Sequence, residues 1–324
     1  MKSTVTLLFI VVLMTGCATT PTGDIGAFGD ATKDITDKID AVIKDYNEAN
    51  IQNEINKLAQ HTSSISIDKF DPIRDAIIHE ADKKNYAIYK ANNALGLYAK
   101  SLTALANAGN RDEIDLAAAK LYGSLHGLNE QYKVLKNTTS NLLDDNTSAL
   151  IGKAIAEIGS VYIENQRAKA IKSIVVAADK HIQTICDVIV NELLKGVIEE
   201  RLFTIRHIEV SGYLDDYNKM VATATFIDKQ KALGEIYKKY VVMQSSSASV
   251  VQAINAIEAI KKAHATIKKD VEEDKFTSKG AVEAIGNLKD INDHYNNLEE
   301  MMLSCKTQII ADPKKGVVCE DKKN

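Results

Sequence analysis

The chain has 324 residues, 40 Lys and Arg against 44 Asp and Glu, and a net charge of −4 with histidine neutral. Basic residues are interleaved with acidic ones and form no dominant block, which argues against a nucleic-acid-binding surface. Apolar residues make up 45% and charged residues 26%, the balance of an ordinary globular protein with enough chain for a sizeable core.

At the N-terminus Lys2 precedes the uncharged run Val5–Met14, and Thr15-Gly16-Cys17 closes it with small residues. This is the three-part layout of a signal peptide, with an apolar run too short to span a bilayer permanently. Leu13-Met14-Thr15-Gly16-Cys17 resembles the lipobox of bacterial lipoproteins, although Met14 stands where that class favours Leu. The resemblance implies that residues 1–16 are removed, that Cys17 becomes the first residue of the mature chain, and that its thiol carries the lipid. Several acyl chains would hold the protein permanently. Ala18 stands where Asp would resemble the inner-membrane retention signal, so the resemblance points to the outer membrane, facing the periplasm. Residues 17–29, rich in Gly and Thr with Pro21, fit no helical or strand period and read as a lipidated flexible tether.

The body, residues 30–310, reads as all-α. The three prolines are Pro21, Pro72 and Pro313, so residues 73–312 hold none where average usage would place about twelve. Proline is lost where the chain is mostly helix interior. The first helix is expected from Asp30 to His61, with Ile35, Ile39, Val42, Tyr46 and Ala49 on one stripe. Asp71-Pro72 gives a start signal for a second helix reaching Ala108, with Gly109 past its end. Asn110 and Glu113 form a capping-box pattern opening a third, whose stripe runs from Ile114 to Leu135. Asn137–Ser148 is the clearest loop. Helix with few breaks follows to Val271, with Asp179, Ser211-Gly212 and Ser245–Ser247 as candidate interruptions. A turn at Asp274–Ser278 and a last helix over Lys279–Ile309 precede the tail, residues 311–324. Five to seven long helices joined by short loops predict an elongated antiparallel bundle with coiled-coil-like packing.

Chemistry-bearing residues are sparse. An oxidising periplasm permits disulfides, and Pro313 and Gly316 can turn the tail so that Cys319 meets Cys305; spacing leaves Cys186 open as a partner for either. Cys186, on a face with Ile182, Ile185 and Ile189, otherwise reads as a small core filler. His79-Glu80 resembles the start of a zinc-protease helix, but Lys83 stands where the second His is required. His126 with Glu130, or His181 with a nearby carboxylate, has spacing for one helix face but reads as a solvated pair, so no metal and no cofactor are expected. His264 falls on a stripe with Ile257, Ile260 and Ile267 and reads as a hydrogen-bonded boundary residue. Single glycines at Gly96, Gly123, Gly127, Gly159 and Gly234 suit close helix contact. No phosphate loop and no Gly-x-Ser-x-Gly elbow occurs, and a catalytic role is not expected. The expected function is binding or bracing through an envelope protein partner, secretion-associated or as an immunity protein. The alternative is a membrane-inserting, pore-forming role carried by Tyr240–Ile257, which holds no charge.

Overall fold

A computed structural model describes residues 22–60, 64, 66–70, 80–156, 163–273, 279–297, 300–301, 304–305, 309–312 and 316–319. Within these residues the protein is a helical bundle. Its α-helices are α1 (Thr22–Ala59), α2 (Glu80–Asn107), α3 (Arg111–Lys136), α4 (Asp145–Ala156), α5 (Ile163–Val188), α6 (Glu199–Met220), α7 (Phe226–Glu272) and α8 (Lys279–Asn296). A short 3-10 turn (Ile67–Phe70) precedes α2, and a π-helical stretch (Ile189–Ile198) joins α5 to α6 without a break. Strands β1 (Ile309–Asp312) and β2 (Gly316–Cys319) pair antiparallel, with Ile309 opposite Cys319. The eight helices among the described residues exceed the five to seven expected: α4 opens at Asp145, three residues inside the expected loop, and ends at Ala156 as a separate element, and a turn divides the expected long run at residues 221–225. The tail, expected to turn back toward Cys305, pairs as this hairpin, and Ile309, expected in the last helix, lies in β1.

The first helix runs antiparallel to both α2 and α7. On α1 and α2, Thr103 donates its hydroxyl to the Gly26 carbonyl at 3.2 Å, while Asn92, eleven residues earlier in the chain, reaches the Thr36 carbonyl at 2.6 Å. On α1 and α7, Asp24 lies within charge range of Asp270, and Asp45 accepts from the Ser246 hydroxyl at 2.6 Å. One apolar cluster runs through the bundle, with Tyr46, Tyr98, Phe28, Leu121, Ile182 and Ile257 among its fully buried members.

The first helix corrects the tether. Residues 22–29 form its opening turns, and Ile25 and Phe28 are buried in the core. The Gly-rich composition hid them, since Gly26 and Gly29 lie on the face that packs on α2. A Cβ at Gly26 would meet the Asn107 amide at 3.5 Å. The caps follow simple chemistry. Asn110 accepts from the Glu113 N–H at 3.0 Å and caps α3 as its sequence predicts, while the Glu113 carboxylate accepts from the N–H of Gly109, one residue before the cap, at 2.8 Å. Asn137 closes α3 in the left-handed region (φ 48°), a conformation that its short polar side chain tolerates. The unexpected turn at 221–225 leads into a capping box, in which Thr225 and Asp228 satisfy each other's backbone N–H groups.

None of the three candidate interruptions breaks a helix. Asp179 lies inside α5, Ser211 and Gly212 inside α6, and Ser245–Ser247 inside α7. The charge-free Tyr240–Ile257 segment is also part of α7, and its Val250, Gln252, Ala253, Ile254, Ala256 and Ile257 are buried in the bundle. Among the described residues no helix is long and apolar enough to cross a membrane. Residues 1–16, Cys17, Asp71-Pro72, Gly159 and the Asp274–Ser278 turn lie outside the described residues.

Candidate functional site

Among the described residues four places of polar chemistry stand out, and one of them is centred on His264. Its imidazole is fully buried between α2 and α5, with the Tyr98 hydroxyl 2.7 Å from Nε2 and an Asp179 oxygen 2.9 Å from Nδ1. It is thus a core residue rather than a boundary one. A carboxylate only accepts, so Nδ1 carries a proton toward Asp179, while Nε2 shares the second bond with the Tyr98 hydroxyl. Phe28 meets the ring edge-on at 5.8 Å between centroids. Gln183 extends the network, donating to Asp179 at 3.2 Å and to the Lys261 carbonyl at 2.9 Å. Burial pushes the Asp179 carboxyl up, but the hydrogen bond and charge of His264, aided by Gln183 and Lys268, outweigh it and hold the group below its ordinary value. Burial and the Asp179 charge drive the Tyr98 phenol far up, so it stays protonated. The arrangement leaves no side-chain polar atom of Tyr98, Asp179, Gln183 or His264 buried without a partner, the hallmark of a structural network that fixes helix register.

A second network joins α1, α6 and α7. Arg206 donates to Asp45 at 2.6 Å and to Glu209 at 3.0 Å, and Glu209 also accepts from Lys239 at 2.7 Å. Burial opposes the charge on Glu209, yet Lys239 and Arg206 keep its carboxyl below the usual range. Beyond this network α6 and α7 continue as a two-helix arm whose small core is Val210, Ile236 and Met243, with Tyr217 against it. At the arm's turn Phe226 and Ile227 are 77% and 73% exposed.

The third place is a small pocket of about 190 Å³ lined by His126, Asn129, Glu130 and Lys133 among others. It contains the His126 and Glu130 pair read from the sequence. There Glu130 accepts from Lys133 at 2.9 Å and from Asn129 at 3.3 Å, and the Lys133 bond holds its carboxyl low. His181 lies apart from it, nearly buried, where burial lowers its basicity and the Asp144 charge partly restores it. No group of three metal-ligating side chains occurs among the described residues. The fourth place is an open groove of about 660 Å³ along the outer face of α2 and α3, treated below.

The cysteines separate cleanly. Cys305 and Cys319 are joined by a disulfide, with Cα atoms 5.6 Å apart, which ties β2 back to the end of the last helical segment. Helical N–H bonds recur at Asn297, Met301 and Cys305, each to the carbonyl four residues before. Cys186 is free and fully buried, and burial pushes its thiol far up, so it is an inert core filler. Reducing the disulfide is expected to lower stability by about 3 kcal/mol, the chain-entropy value for a loop of about 15 residues. Urea unfolding with and without reductant measures this, and equal midpoints would contradict it.

The glycines divide as well. A Cβ at Gly96 would collide with the Thr36 side chain across the α1–α2 contact, so this glycine does serve close approach. Gly127 would make an ordinary contact with Ala94, at 3.5 Å, and additions at Gly123 and Gly234 would meet open space. Sequence reading missed Gly29, which was assigned to the tether. A signal for it exists: Gly29–Thr36 (GDATKDIT) and Gly96–Thr103 (GLYAKSLT) share Gly, Lys and Thr at matching positions, and the two segments face each other.

The chain matches no family model, no curated protein and no solved structure. The functional reading therefore rests on the chemistry of the molecule itself.

Proposed function

We propose that this protein is a lipid-anchored component of the bacterial outer membrane that faces the periplasm and acts, without catalysis, through protein–protein contacts. Its partner would be an envelope protein, in a secretion assembly or in immunity against a delivered toxin. The observation that carries this reading is the start of α1 at Thr22, with only four residues between it and Cys17. That linker can extend no more than ~17 Å, so acyl chains on Cys17 would hold one end of the bundle close to the leaflet. The end so held is where the starts of α1 and the ends of α2 and α7 meet, since Asp24 lies in charge range of Asp270 and Gly26 accepts from Thr103. From Asp270 back to Phe226, α7 spans ~66 Å at 1.5 Å per residue. The exposed Phe226 and Ile227 would then stand far from the anchoring leaflet, suited to a partner across the periplasm. The rigid cores of both polar networks support bracing over such a distance.

Cys17→Ser is expected to move the protein from the membrane fraction to the soluble fraction of cells, with its helical content unchanged. The wild-type N-terminal peptide should carry acyl mass on Cys17. An unmodified thiol at Cys17, or a retained leader, would sink the proposal.

A further inference from the structure

The outer face of α2 and α3 carries a groove that none of the described helices fills. Its floor is made of small residues, Ala94, Ser101, Gly123, Ser124 and Gly127, which let another backbone come close. On α2 the lining residues Lys90, Ala94, Leu97, Ser101 and Ala104 recur at alternating spacings of four and three, one face of a helix. They extend the groove over ~20 Å at helical rise, the length of three to four turns of a docked helix. Tyr89 and Leu97 are 41% and 47% exposed at its edge, apolar surface of the kind a partner side chain covers. Among the described residues every charged side chain lining it is a lysine: Lys90, Lys100 and Lys120. Lys100 and Lys120 therefore give the groove a cationic rim over a floor of small side chains, in a chain whose net charge is −4.

We propose that this groove receives one amphipathic helix of a protein partner, with a small apolar face against Ala94, Ser101 and Gly127 and acidic residues opposite Lys100 and Lys120. A helix laid in a groove meets its anchors at i, i+3, i+4 and i+7, the spacing the α2 face presents. The lysines set the sign of the partner and speed its encounter rather than supplying most of the affinity. The inference rests on the reading of the protein as one that works through protein contacts, and specifies where and with what chemistry.

The test uses the folded full-length chain lacking only its leader and two synthetic 18-residue amphipathic helices. They share one Ala- and Leu-bearing face and differ only in flanks of Glu or of Lys. The Glu peptide is expected to bind at least tenfold more tightly by fluorescence anisotropy. Gly123→Leu should weaken it at least tenfold, because a Cβ there meets no protein atom and the added side chain projects into open space without disturbing packing. Retained thermal stability verifies the fold of that variant. Lys100→Glu with Lys120→Glu should invert the preference between the peptides. Equal binding of both peptides, no binding, indifference to Gly123→Leu, or displacement of the Glu peptide by a fatty acid at lower concentration would each overturn the proposal. A photo-crosslinking residue at Gly123 or at Phe226 in cells separates the two readings. Protein adducts from Phe226 alone would retire the groove and leave the partner reading standing, whereas adducts from neither position would retire both.

Discussion

Gly29→Ala is expected to destabilise the protein by about 2 kcal/mol, within the range for overpacking a tight contact. The added methyl would collide with the Thr103 side chain and approach the Ala99 carbonyl oxygen to 2.5 Å. Turning Thr103 aside relieves only the first of these, since the second obstacle is backbone of α2. The helices must then separate, which loosens Phe28, Tyr98 and Leu102 around them. Gly96→Ala should cost less, because its obstacle is the Thr36 side chain, whose hydroxyl bond to the Lys33 carbonyl can be given up by rotation. Gly123→Ala supplies the opposite sign. Nothing lies near that position, so the helix-propensity gain of up to about 1 kcal/mol stands alone. Urea unfolding of the three variants reads the order directly. A Gly29→Ala protein as stable as the Gly123→Ala protein would show that α1 does not lie where the structure puts it.

His264→Leu is expected to cost about 3 kcal/mol although it removes a polar group from the core. The substitution leaves the Tyr98 hydroxyl without its partner and the Asp179 carboxylate with only the Gln183 bond, and losing such partners in the core costs more than one hydrogen bond contributes. Tyr98→Phe should cost only about 1 kcal/mol, since it removes one hydrogen bond and leaves the Asp179 bond to the ring in place. In a double-mutant cycle the two changes should be strongly non-additive, because the hydroxyl has no partner once His264 is gone. The pH dependence carries a sign. Folded Asp179 titrates below its unfolded value of about 3.9, so its contribution is present above that value and is lost as pH falls through the lower folded one. Wild type and His264→Leu should therefore converge in stability toward acid and diverge toward neutrality. A constant difference across that range would show that Asp179 and His264 are not coupled.

Some of this could be read from the residues alone, and the reasons differ by feature. The stripe from Ile114 to Leu135 and the Asn110-x-x-Glu113 cap are local: each contact lies within one or two turns, so spacing suffices. The stretch Ile189–Ile198 looks like ordinary helix in sequence, yet the Glu199 N–H reaches the Leu194 carbonyl, a five-residue step that apolar residues alone do not announce. The turn at 221–225 was equally silent, since Met220–Ile227 has no proline or glycine and only the Thr225 cap marks it. Val282, expected on the last seam, is instead 58% exposed, whereas Ile285, Leu288 and Ile291 are buried.

The absence of proline over residues 73–312 and the three-and-four spacing of apolar side chains were enough to make the chain a helical bundle, because helix is decided by neighbours along the chain. What lies opposite what was decided only by packing. Gly29 and Ala99, Asp179 and His264, and Asp45 and Arg206 are separated by 70, 85 and 161 positions, and no periodicity within one helix carries the phase of another. Their meeting depends on the rotation and register that the assembled core imposes. The lysine-edged groove likewise belongs to two helices at once and to neither sequence by itself.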